Sequence, residues 1–244
     1  MADLDELYKK MAQSPESKIN YNLWMFQNNF RICDGNFRDL QKFYDNINNP
    51  SIMATIKEKT DYHNQIQIIN LDFLRRISNY LSSAFTLVGY ARDFMKKNYS
   101  GTATFEIYEK KVDESFIQNN LSKFIQDLRN YFLHNGIKGF SYSFSISEKY
   151  IGESEFNTIL QKKDLCVGDY FSKKSREYMA TLPDSIKIID ELKKYHTIVQ
   201  EFYDWLFGYL WQIHSEELLK AKQYQKEYFE ELRRMYIEHL HKNN

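Results

Sequence analysis

Between Ser51 and Asn98 the sequence has no proline and a single glycine, Gly89. Over the same stretch Ile66, Ile69, Phe73, Ile77, Tyr80, Leu81, Ala84, Leu87, Val88 and Ala91 recur at three- and four-residue steps. Apolar residues at that spacing line one side of an α-helix. The segment therefore predicts one long amphipathic helix, stopped at Tyr99-Ser100-Gly101. The whole chain is equally sparing of breakers, with 8 Gly and 3 Pro in 244 residues. Long helices are favoured throughout.

Residues 1–50 read as two or three short helices, one broken at Asp34-Gly35-Asn36 and the last ended by Asn48-Asn49-Pro50. A second core helix is expected from about Asp113 to His134, with Asn135-Gly136 as its stop. The period then changes: Phe140, Tyr142, Phe144 and Ile146 alternate with Ser141, Ser143, Ser145 and Ser147. Strict alternation is the pattern of a strand with one wet face. Residues 155–162 offer the other arm of a hairpin, which should lie on the helices because lone hairpins are marginal. From Ser185 to Lys242 the chain reads as helix again, bent at Gly208. The expected fold is mainly all-α, a helical bundle with a small inserted β-hairpin. It is read as one domain over 1–244: N-terminal helices 1–50, core helices 51–136, the hairpin insertion 137–165, and C-terminal helices 166–244.

Composition narrows the function. Thirty-three basic residues balance 33 acidic ones. That excludes a chain that binds nucleic acid through a large global excess of positive charge. Apolar residues at 43% and charged residues at 27% exclude a disordered chain. Cys33 and Cys166 stand alone, a usage that predicts neither a disulfide scaffold nor a zinc site and fits a reducing cytoplasm. The acidic start, Met1 to Glu6, predicts no cleaved signal segment. The longest uncharged run, Ile77 to Ala91, is too short for a membrane span and carries Ser and Asn.

The chemistry concentrates at the end of the second core helix. On a helical wheel Ile117, Leu121, Phe124, Ile125, Leu128 and Phe132 fall within about 60° of Leu121 and form the buried stripe. Asn130 and His134, four apart, lie on the opposite face, with Gln126 and Asp127 one turn earlier. Arg129 flanks the stripe and can reach round to the polar face. Leu133 points away from the main core. An imidazole moves protons near neutral pH, and a guanidinium neutralises charge growing on phosphorus. In RNA the 2′-hydroxyl is an internal nucleophile. The same residues have plain structural uses: a His near a helix C-terminus is favoured by the dipole, and an Arg beside a core stripe covers apolar surface.

The segment Leu128-Arg129-Asn130-Tyr131-Phe132-Leu133-His134-Asn135 resembles the signature of the HEPN superfamily: an Arg, commonly followed by Asn, His or Asp, then a His four to six residues on, at a helix end in a small helical bundle. Arg129, Asn130 and His134 match those positions. The later stretch Ser175 to Trp205, with Tyr178 to Pro183 and Tyr195-His196, also resembles bacterial HEPN-like chains. The resemblance implies a bundle that often dimerises, bringing two Arg/His pairs into one cleft, and metal-independent cleavage of single-stranded RNA by toxins, abortive-infection proteins and CRISPR effectors. By position, Arg129 contacts the scissile phosphate, His134 acts as acid or base, and Asn130 orients one or the other. Other members have lost catalysis and bind RNA or a partner protein. The expected partners are thus a second copy, single-stranded RNA, and an antitoxin or defence partner; no cofactor, metal or membrane is expected. Lys138, Lys149, Lys162, Lys163, Lys173, Lys174 and Arg176 follow the motif and are candidates to line the cleft.

His239-x-His241 reads as a solvated pair rather than a metal site. His63, His196 and His214 lack the Glu-x-x-His pairing of a di-iron bundle. There is no phosphate-binding glycine loop and no nucleophile elbow. The aromatic run Phe202 to Trp211 reads as core or dimer interface rather than as a base-stacking surface.

Overall fold

The apolar stripe from Ile66 to Ala91 is the spine of the larger compact unit. In the computed structural model, which describes residues 3–136, 139–145, 155–165 and 170–242, helix α4 (Tyr62–Tyr99) buries Phe73, Ile77, Tyr80, Ala84, Leu87, Ala91 and Met95 along one side. Each such burial contributes about 1.5–3 kcal/mol for the larger side chains. Four helices precede or flank it: α1 (Leu4–Gln13), α2 (Pro15–Ile47), α3 (Pro50–Lys57) and α5 (Ala103–Val112). A π-helical turn (Asp113–Ile117) leads into α6 (Asn120–Asn135). Strands β1 (Phe140–Ser145) and β2 (Glu155–Gln161) follow, then α7 (Lys173–Thr181), a third strand β3 (Ser185–Lys187), α8 (Ile188–Ile213) and α9 (Ser215–Lys242). The fold is mainly helical with a small antiparallel sheet in the order β1-β2-β3. No helix among the described residues is long and apolar enough to cross a membrane.

The chain forms two compact units, residues 31–202 and residues 1–30 with 203–244. In the larger, Leu121, Phe124, Ile125 and Leu128 of α6 and Ile188, Ile189, Leu192 and Val199 of α8 are buried together with the α4 spine. A second cluster joins Ile47, Met53, Ile56, Ile66 and Phe156. The hairpin lies on the helices, as expected. The Asn48 side chain accepts from Phe156 N at 2.8 Å and donates to its carbonyl at 3.2 Å. Tyr44 donates to Asn157 at 3.1 Å and Thr158 to Asn70 at 3.2 Å. In the smaller unit α1 lies against α9, with Tyr8 and Tyr228 rings 5.9 Å apart, and Leu23, Phe26, Tyr203, Leu206 and Leu210 are buried.

Several boundaries differ from the sequence reading. Helix α2 runs straight through Asp34-Gly35-Asn36. A glycine costs a helix about 1 kcal/mol, and Cys33, Leu40 and Ile47, buried at helical spacing either side of it, outweigh that. The long helix from Ser51 is two, parted at Glu58–Asp61, where the apolar residues lapse and the Asp61 carboxylate accepts from Gln65. The helix expected from Asp113 is interrupted by the π-turn, and α6 starts afresh with the Asn119 side chain accepting from Ser122 N at 2.9 Å. Residues 185–187 are strand, not helix, pairing Ile186 with Leu160. The C-terminal helix passes through Gly208 and breaks at His214 instead. Ile146, Ser147, Lys138, Lys149 and Cys166 lie outside the described residues.

Candidate functional site

Helix α6 carries the motif, and its position is fixed at three points. Asn119 caps its start, and Leu121, Phe124, Ile125 and Leu128 are buried on one side. Its end is marked by Gly136, at φ 71°, whose N–H returns to Phe132 O at 3.0 Å. Ile117, expected in the buried stripe, lies instead in the π-turn and is half exposed. Leu133 is exposed, as its wheel position predicts.

Asp127 is not a free polar-face carboxylate. It is buried and accepts from Ser172 N at 2.8 Å and from the Ser175 hydroxyl. Ser172 is the N-cap of α7. A carboxylate at a helix N-terminus satisfies donors that the helix leaves unpaired and complements its dipole. Asp127 thus docks α7 on α6 at the level of the motif.

Asn130, His134 and Tyr170 line an open cleft of about 650 Å³, with Phe171, Ser172 and Arg176 on its α7 side. His134 is exposed, and its ring centroid stands 6.4 Å from that of Tyr170. Tyr170 in turn meets the buried Tyr131 edge-on at 5.6 Å. Arg176 donates to the Phe171 carbonyl. No carboxylate among the described residues forms an ion pair with it, whereas Arg38, Arg75, Arg76 and Arg234 are all paired.

Arg129 sits beside this cleft rather than on its wall. Its guanidinium lies over the Phe85 ring at 4.9 Å and its Nη1 donates to Asn130 Oδ1 at 3.3 Å. Its Nε is buried with no hydrogen-bond partner among the described residues. The motif therefore forms one linked group: Arg129 bonded to Asn130, and Asn130 sharing the cleft with His134.

Of the basic residues following the motif, Arg176 alone among those described lines the cleft. Lys162 is tied to Leu182 O and Asp184, Lys174 to Ile117 O at 2.8 Å and Gln118 at 2.7 Å, and Lys173 to Glu177 at 3.9 Å. Lys163 is exposed elsewhere. Sequence reasoning missed Tyr170 and the docking role of Asp127. The signal available was Ser172-x-x-Ser175, a helix start that puts the preceding Tyr170-Phe171 at a turn.

His196 is the contrasting histidine. It is buried, with Nε2 3.3 Å from Asp34, Nδ1 3.3 Å from the Tyr80 hydroxyl, and its ring stacked on Phe37 at 3.8 Å. Burial holds its pKa below the ordinary imidazole value, against the opposing pull of Asp34 and with help from Arg38. Burial likewise pushes the Cys33 thiol up to about 12, which removes it as a nucleophile. Among the described residues no group of three or more His, Cys, Asp or Glu is arranged to hold a metal ion.

No protein-family model, no curated protein and no solved structure matches the chain.

Proposed function

We propose that the chain is a HEPN-type endoribonuclease that cleaves single-stranded RNA without a metal, acts as a homodimer, and serves in toxin–antitoxin or phage-defence biology. The observation that carries the reading is the shared cleft: Asn130 and His134 open onto it, Arg129 is hydrogen-bonded to Asn130, and Arg176, which has no ion pair among the described residues, lines it from α7. In the reaction the 2′-oxygen attacks phosphorus and the bond to the 5′-oxygen breaks. A base takes the 2′ proton and an acid returns one to the 5′-oxygen, leaving a 2′,3′-cyclic phosphate and a 5′-hydroxyl. Each chain supplies one His134, so a dimer with two facing copies provides both base and acid. Arg129, steered by Asn130, stabilises the charge on the pentacoordinate phosphorus.

The test is incubation of end-labelled single-stranded RNA with the purified protein in excess chelator, with product ends read by mass spectrometry. Cyclic phosphate ends from wild type, lost in Arg129→Ala, support the reading. Absence of cleavage by folded wild-type protein overturns it. One observation favours a second reading, a non-catalytic helical module that binds RNA or a partner protein: Arg129 packs on Phe85 with its Nε buried, the posture of a structural arginine. That reading predicts RNA or partner binding with no turnover.

A further inference from the structure

We propose that Tyr170 and Arg176 form the nucleotide-recognition wall of this cleft, Arg176 gripping a backbone phosphate and Tyr170 stacking on the adjacent base of a single-stranded RNA. The proposal rests on the ribonuclease reading of the site and assigns the two residues that select its substrate class.

Arg176 has the attributes of a ligand cation. It is exposed, and one arm of its fork is fixed on the Phe171 carbonyl at the cleft edge. It forms no ion pair among the described residues, and Asp127, the carboxylate on the cleft wall, is already engaged by Ser172 and Ser175. A guanidinium held at one nitrogen keeps further donors for an anion and has lost part of its conformational freedom beforehand.

Tyr170 supplies the second element. It is about 38% exposed, and its ring is braced edge-on by Tyr131, itself fully buried. A braced, partly exposed ring is a low-entropy platform for a nucleobase, and aromatic platforms are how proteins hold unpaired bases. The ring stands near His134 on the same cleft wall. A base seated on Tyr170 therefore brings its own phosphodiester toward the imidazole. Paired RNA keeps its bases stacked inside the helix and has no free face to offer, so the wall selects single strands.

The experiment separates binding from cleavage. A fluorescein-labelled single-stranded oligonucleotide with 2′-O-methyl riboses cannot be cleaved by 2′-attack, and its affinity is measured by anisotropy at several salt concentrations. Arg176→Ala is expected to weaken binding about tenfold and to lower the salt slope by about one counterion. Arg176→Lys should recover part of the affinity. Tyr170→Ala should weaken binding about tenfold with the slope unchanged, and Tyr170→Phe should bind as wild type does. Melting temperatures accompany each variant, and the two conservative variants carry the test if an alanine variant misfolds. Wild-type affinity in both alanine variants, or no binding by wild type, overturns the proposal. Binding that behaves as expected in a protein that never cleaves RNA overturns the ribonuclease reading and leaves the recognition wall standing.

Discussion

His134 and His196 are the same side chain on two helices of one compact unit, and their surroundings divide them completely. His196 is buried, with both ring nitrogens near polar partners, its face on Phe37, and its neutral form favoured by burial. His134 is exposed at a helix end beside Asn130, on a cleft whose Arg176 has no ion pair among the described residues. A buried imidazole with a polar partner near each nitrogen holds helices together; the exposed one, which lines a cleft with Asn130 and Arg176, is the one we propose exchanges protons with a ligand. What separates a core histidine from a reactive one is therefore what its neighbours leave uncommitted.

The contrast is broken most severely at the buried partner. His196→Ala leaves Asp34 and Tyr80 without their ring partner and opens space on Phe37. We expect a loss of roughly 3 kcal/mol in chemical denaturation. A cost below about 1 kcal/mol would make His196 incidental to the fold. Next comes the anchor of α7 on α6. Asp127→Ala should cost roughly 2 kcal/mol, because it removes the buried acceptor that the Ser172 N–H and the Ser175 hydroxyl share at the start of α7. Hydrogen exchange should then quicken in α7 while the amides of α4 stay protected. Equal loosening of both helices would contradict a local anchor. Arg129→Ala should cost only about 1 kcal/mol, the worth of its packing on Phe85, while Arg129→Lys leaves stability nearly unchanged.

The smallest effect is the pH dependence. Because the folded pKa of His196 lies below its unfolded value of about 6.5, the unfolded state binds more protons between the two values. The contribution of His196 to stability is thus complete above that value and lost as pH falls through the folded pKa. Asp34, Arg38 and Tyr80 are the polar groups facing it. Unfolding midpoints of wild type should fall faster than those of His196→Asn as the solution is acidified below about pH 6.5. Parallel curves would show that the ring is not held neutral.

The sequence showed the helical class, the α4 stripe and the hairpin, because each is a periodicity repeated over many residues. It concealed features decided by one or two tertiary contacts. The continuity of α2 through Gly35 depends on the core that Cys33, Leu40 and Ile47 enter. Strand β3 is three residues long and exists because Ile186 finds Leu160. At the site, the helix-end placement of Asn130 and His134 was readable from spacing alone. Asp127, placed on the wet face by the wheel, is claimed by a cap 45 residues away, and Tyr170 meets the motif through Tyr131 beside that docking. A wheel reports which way a side chain points, and a partner distant in sequence decides what it does there.

The central claim, that the exposed helix-end imidazole moves protons and the buried one holds structure, is tested most directly by single-turnover RNA cleavage in excess chelator by His134→Ala and His196→Asn. Rates are normalised to the folded fraction and measured well below either melting point. The account predicts that His134→Ala melts as wild type does and loses about a thousandfold in rate, while His196→Asn melts earlier and cleaves at the wild-type rate. Wild-type cleavage by folded His134→Ala would contradict it.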